Sequence, residues 1–137
     1  MNDVIQPLLH ALPVFLAHFG VALATLVVAV AIVLKATPAA EIRLIREGNL
    51  AAAVWSAGTV VAMAMPIAAA MQFSHTAGEV AVWAALAAII QIATYYAAAA
   101  IVGKTRATLE AGELPPAVAV VGIQLGVAFI NAAALSG

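Results

Sequence analysis

Four apolar runs govern what this chain can fold into. They cover approximately residues 11–34, 50–73, 80–102 and 116–136, and none of them holds an Asp, Glu, Lys or Arg. Each is long enough to cross the roughly 30 Å hydrocarbon core of a bilayer as a helix, which takes about 20 residues. Their filling is Ala, Val, Ile and Leu, without the polar/apolar alternation of a membrane barrel strand. In lipid every backbone group must be satisfied within the protein, so runs of this kind become helices. The remaining composition agrees, with 66% of the 137 residues hydrophobic and only 8% charged. Soluble domains carry roughly 25% charge. The expected fold class is an all-α membrane protein with four transmembrane helices, and its first partner is the lipid bilayer.

The same composition excludes several functions. A net charge of −1 gives no basic face for a nucleic acid. With no cysteine there is no disulfide framework, thiolate metal site or Cys nucleophile. The segment Met1-Asn-Asp-Val-Ile-Gln-Pro7 has no Lys or Arg. A cleavable signal needs a basic start, so the first run is expected to be a retained span.

Orientation follows from the basic residues. Lys35, Arg43 and Arg46 fall between the first and second runs, and Lys104 and Arg106 between the third and fourth. With all five on one side, the positive-inside rule places both basic loops in the cytoplasm and both termini outside. Trp55 and Trp83 are expected as interfacial anchors at opposite faces. The first basic loop reads as a short surface helix. Thr37-Pro38 offers a cap and first turn, and Gly48 stands where a left-handed residue ends the helix. Asn49 is then placed to cap the second span.

This corner returns later in the chain. Gly48-Asn-Leu-Ala-Ala-Ala-Val54 aligns with Gly112-Glu-Leu-Pro-Pro-Ala-Val118, and Ile32-Val-Leu-Lys35 with Ile101-Val-Gly-Lys104. The shared order predicts one domain over residues 1–137 built as two parallel two-helix repeats, about 8–73 and about 77–137. Two spans per unit return the chain to its starting side, so the axis relating them lies near the membrane normal.

These residues carry a resemblance. Glu41, Leu44, Ile45, Gly48, Asn49 and the following Ala run, with Pro66, Gln91, Gly112 and the ending Ile130-Asn-Ala-Ala-Ala-Leu-Ser136, resemble the bacterial family called domain of unknown function 350. The resemblance covers nearly the whole chain from about Ala11. It implies a small inner-membrane protein in which a two-helix unit occurs twice, with no assigned activity and no catalytic residue to carry over. Some relatives are encoded beside envelope-stress proteins. Leu135, where the pattern has Met, and the Pro115-Pro116 pair depart from it.

Polar side chains within the runs are where a membrane protein shows its chemistry. Gln91 and Gln124 fall near mid-span and are expected to meet as a reciprocal amide pair between the repeats, with Gly122 and Gly126 letting the helices approach. Pro66 removes a backbone donor and frees the carbonyl of Ala62. Asn131, at a nearly corresponding place, is a candidate to form a site with that kink. Thr25 and Thr94 correspond under the repeat and extend the set of helix-packing or pore-lining candidates. Glu41, Gly48, Asn49 and Gly112 define the cytoplasmic corner.

His10 and His18 share a helix and cannot sandwich a haem within one chain, and His75 with Glu79 reads as a solvated loop. No cofactor or metal is expected. Without a Ser/His/Asp set, a phosphate loop or paired intramembrane carboxylates, no enzyme is expected either. The leading expectation is a structural or interaction module, a homo-oligomer or an accessory subunit of a membrane complex. The alternative is an oligomeric channel or small-solute transporter lined by Gln91, Gln124, Thr25 and Thr94.

Overall fold

In the computed structural model, residues 1–35, 38–103 and 106–137 are described, and every element among them is a helix. In chain order these are α1 (Asn2–Lys35), α2 (Pro38–Arg46), α3 (Leu50–Phe73), α4 (Ala77–Val102), α5 (Arg106–Glu110) and α6 (Leu114–Ser136). Helices α1, α3, α4 and α6 are long and apolar enough to cross a membrane, which makes this a multi-pass membrane protein. Helix α1 starts well ahead of residue 11 and runs through both Pro7 and Pro13. Helix α5 lies where only a loop was expected. Thr37 and Lys104 fall outside the described residues.

Helix α2 is the expected short helix, and its faces divide cleanly. Glu41 and Leu44 are buried against the bundle, while Ile42 and Ile45 stay exposed. Its end has a specific geometry. The N–H of Asn49 donates to the carbonyl of Leu44 at 2.8 Å, and that of Gly48 to Ile45 at 3.0 Å. Gly48 takes the left-handed conformation this closure needs, with φ 85°. After α5 the same closure recurs. Glu113 donates to Thr108 at 3.1 Å, Gly112 to Leu109 at 3.0 Å, and φ of Gly112 is 70°.

Three of the long helices, α3, α4 and α6, begin with their orphan N–H groups in view of a partner, or with proline in place of one. The side chain of Asn49 accepts from the N–H of Ala52 at 3.0 Å and so caps α3. Thr76 accepts from Glu79 at the start of α4, and the Glu79 carboxylate reaches back to the N–H of His75. Glu113 caps α6 with backbone alone, and Pro115 and Pro116 lie in its first turn, where missing donors cost little.

The long helices form a four-membered bundle. Helices α3 and α4 occupy its centre, each touching every other span, and α1 and α6 flank them without touching one another. The closest packing is between α3 and α6. Gly58 explains it, because a Cβ there would run into Val121 of α6. Gly122 and Gly126 do not have this role. Both face outward with no atom near a would-be Cβ, since the buried face of α6 runs through Ala117, Val120, Gln124, Ala128 and Asn131.

Trp55 corrects a second expectation. It is only 1% exposed and donates its indole N–H to the Tyr95 hydroxyl at 3.4 Å. A ring that finds a polar partner inside the bundle has no need of the interface. Trp83 is 48% exposed, as an anchor would be.

The left-handed corners are the first place to test this fold. A Val at position 48 adds a β-branched side chain to a conformation that costs about 1–2 kcal/mol per residue for ordinary L-residues. Gly48→Val is expected to lower unfolding free energy in detergent by at least about that amount. An unchanged unfolding midpoint would remove the corner from the fold's determinants.

Candidate functional site

The polar residues of the spans gather at one place inside the bundle. On α3, the positions Trp55, Thr59, Ala62 and Pro66 recur at helical spacing and share the buried face. Gln91 on α4 and Gln124 and Asn131 on α6 meet them there. Thr59, Gln91, Gln124 and Asn131 are all buried, both glutamines completely.

Their hydrogen bonds start from a break in the backbone ladder. Pro66 has no N–H, so the carbonyl of Ala62 loses its usual partner. The amide of Gln91 replaces it, donating to Ala62 at 3.2 Å and to the Gln124 backbone carbonyl at 3.3 Å. The amide of Gln124 turns instead to the hydroxyl of Thr59, at 3.1 Å. Asn131 donates to the carbonyl of Ala87 at 3.1 Å and to the side-chain oxygen of Gln91 at 3.4 Å. One cluster thereby joins α3, α4 and α6.

The expected reciprocal pair of glutamines is replaced by this arrangement. Gln91 and Gln124 do meet, but side chain to backbone. The freed carbonyl of Ala62 outcompetes a second amide, because it is fixed in place and otherwise unpaired. Pro66 and Asn131 belong to this one cluster and do not form a site of their own. The side-chain oxygen of Gln124 is buried with no hydrogen-bond partner.

Thr25 and Thr94 are not brought to the cluster. Each hydroxyl donates to the carbonyl four residues earlier in its own helix, Val21 and Ile90, both at 2.8 Å. Thr25 faces an apolar cleft between α1 and α4, beside Ala24, Ala85 and Ala88.

At the basic-loop end, Asn49 does more than cap. Its amide nitrogen donates to the carbonyl of Leu109 at 2.6 Å, so one side chain ties the α2–α3 corner to the end of α5. Glu41 is buried there and accepts from the Ser56 hydroxyl at 3.0 Å. Among the described residues, no three His, Cys, Asp or Glu side chains come together to hold a metal ion.

Thr59, Ser56 and the Trp55–Tyr95 pair were not legible as partners. Only the helical spacing on α3 hinted at Thr59, and a threonine on an apolar face usually bonds its own helix.

Replacing Gln91 tests the cluster. Gln91→Leu leaves the Ala62 carbonyl and one Asn131 donor unpaired and is expected to cost about 1–3 kcal/mol. Pro66→Ala restores the backbone donor to Ala62, so its effect in the Gln91→Leu background should be more favourable than in the wild type. Strictly additive effects in detergent unfolding would show that the two groups are uncoupled.

A family model described as Domain of Unknown Function (DUF350) matches residues 7–135. No curated protein matches the chain, and no solved structure does. The match spans all four membrane helices, and the chain belongs to the domain-of-unknown-function 350 family.

Proposed function

We propose that this chain is a structural or interaction module of the inner membrane that self-associates or joins a larger membrane complex. The observation that carries this reading is where the intramembrane polar groups go. Gln91, Gln124, Thr59 and Asn131 bond one another and three backbone carbonyls inside the protomer, and helix glue is the ordinary use of such groups. A solute path instead needs charged side chains, exposed carbonyls or water along its wall. The apolar runs 11–34, 50–73, 80–102 and 116–136 hold no Asp, Glu, Lys or Arg, and no enzymatic role is proposed. A setting in envelope stress is suggested by the family resemblance.

The proposed architecture is two parallel repeats, about 8–73 and about 77–137, each with a left-handed corner between its two long helices, with the basic loops in the cytoplasm and both termini outside. Support comes from the recurring order of long helix, short helix, long helix and from the like closures at Gly48 and Gly112.

An oligomeric channel or small-solute transporter is the second reading. It draws support from the unpartnered oxygen of Gln124, an acceptor that a passing solute would use.

Two measurements test the proposal. Single cysteines placed at Arg46 and Gly137 in this cysteine-free chain should react with impermeant reagents from the cytoplasmic and outer sides respectively, and the reverse pattern would overturn the orientation. Vesicles carrying the purified protein should leak ions and small polar solutes no faster than protein-free vesicles. Flux that Gln124→Leu abolishes would replace the interaction module with the channel.

A further inference from the structure

Helix α2 does not sit on top of the bundle. Its Glu41 carboxylate accepts from the hydroxyl of Ser56 at 3.0 Å, and Ser56 is six residues past Leu50, the first residue of α3. That places it about 9 Å along the helix. The 24 residues of α3 span about 36 Å, against a hydrocarbon core of about 30 Å. Even with all of this surplus at the basic-loop end, Ser56 lies about 3 Å inside the core. Shared equally between the two ends, the surplus puts it about 6 Å inside. A side chain as short as glutamate reaches that level only if α2 runs alongside α3, where acyl chains meet headgroups. Amphipathic helices that lie in the interface take up this level, with their apolar face about 5–10 Å into the boundary.

The faces of α2 suit that level. Around the helix, at about 3.6 residues per turn, the buried Glu41 and Leu44 are followed by Ile45 and Ile42, and these by Arg46 and Arg43. Ile42 is 52% and Ile45 39% exposed, although both adjoin the face that packs on the bundle. Both arginines are exposed, and neither guanidinium has a hydrogen bond or ion pair to another of the described residues. Glu47 is exposed as well and pairs with neither. Two uncompensated cations therefore stand beside two uncovered isoleucines at the depth of lipid phosphates. Arginine meets phosphate oxygens through a planar fork that forms two parallel hydrogen bonds.

We infer that α2 is a seat for an anionic phospholipid in the leaflet at the basic-loop end. The acyl chains cover Ile42 and Ile45, and the headgroup phosphate lies on Arg46 and Arg43. Depth decides the occupant, because four spans place the bundle in a bilayer and the bond to Ser56 holds α2 at the boundary of that bilayer. Charge decides the lipid: a zwitterionic headgroup brings its own cation to the phosphate and gains less from the arginines. Basic groups at a membrane surface favour anionic lipid by about fivefold each. One protomer is enough to form this face, so it does not depend on self-association.

Two measurements on the full chain, in vesicles of phosphatidylcholine and phosphatidylglycerol, test this. The chain has no cysteine of its own, so nitroxides can be attached singly at Ile42→Cys and Ile45→Cys. Both should collide with oxygen and be shielded from a water-soluble nickel chelate, and one at Glu47→Cys should show the reverse. In native mass spectrometry the wild-type chain should retain phosphatidylglycerol in preference to phosphatidylcholine. Arg43→Gln with Arg46→Gln should reduce that preference by more than about tenfold. Arg43→Lys with Arg46→Lys should keep most of it, which separates charge from folding. Nickel quenching at Ile42 and Ile45 would place the face in water and overturn the inference. Shielding from both quenchers would mean that protein covers the face, a second copy included, and would overturn it too. So would a wild-type chain without the preference, or a preference that the loss of both arginines leaves unchanged.

Discussion

Inside the hydrocarbon no water is available to complete a hydrogen bond, so each polar group in these spans has to find its partner in the chain. Pro66 makes that constraint acute. Its missing N–H leaves the Ala62 carbonyl exposed to an apolar medium, and Gln91 crosses from α4 to fill the vacancy. The arrangement fixes more than one bond. Gln91 cannot reach Ala62 unless α4 lies against α3 at one depth, and its second acceptor on Gln124 brings α6 to the same level. Asn131 closes the set from the other side by donating to both Gln91 and Ala87. The register of three helices is therefore set by hydrogen bonds, since apolar contacts between Ala, Val and Leu would tolerate sliding by a turn.

Close packing then follows from residue size. Without a hydrophobic difference between lipid tails and side chains, helices associate through van der Waals contact, and small residues allow the most of it. Ala51, Ala52, Ala62, Ala84, Ala98 and Ala117 are almost wholly buried, and Gly58 admits Val121. Trp55 is the large exception. It fits because Tyr95 supplies both an edge-on ring and a hydroxyl for its N–H.

The number of membrane helices, the short helix before Gly48, the Asn49 cap and the carbonyl freed by Pro66 were all legible in the sequence, each for a local reason. Length, charge, a left-handed glycine and a missing N–H act within a few residues of themselves. What was not legible depended on which face of a helix looks inward. Gly122 and Gly126 have the spacing of a packing motif but sit on the outer face of α6, while Gly58, with Ala62 four residues on, makes the close approach. Trp55 reads as an anchor from its position near a span end and is interior because Tyr95 stands opposite. The partner of Gln91 was misassigned for the same reason, as its choice of a carbonyl over an amide required the rotation of α3 and α6 to be known. Helix α5 was missed because five residues are too few to show a period.

The bond from Asn49 to Leu109 has a consequence for how the chain is made. Its two ends are separated by 60 positions in the sequence. At about 5–20 residues per second, a ribosome takes about 3–12 s to traverse that interval. Throughout that time Asn49 can cap α3 by accepting from Ala52, yet its amide nitrogen has nothing to hold at Leu109. The first hairpin thus enters the bilayer as a provisional structure, and its corner is fastened only when α4 has been made and α5 has turned. Biogenesis of this small protein runs from far to near: a segment made 60 residues later secures the first bend to form.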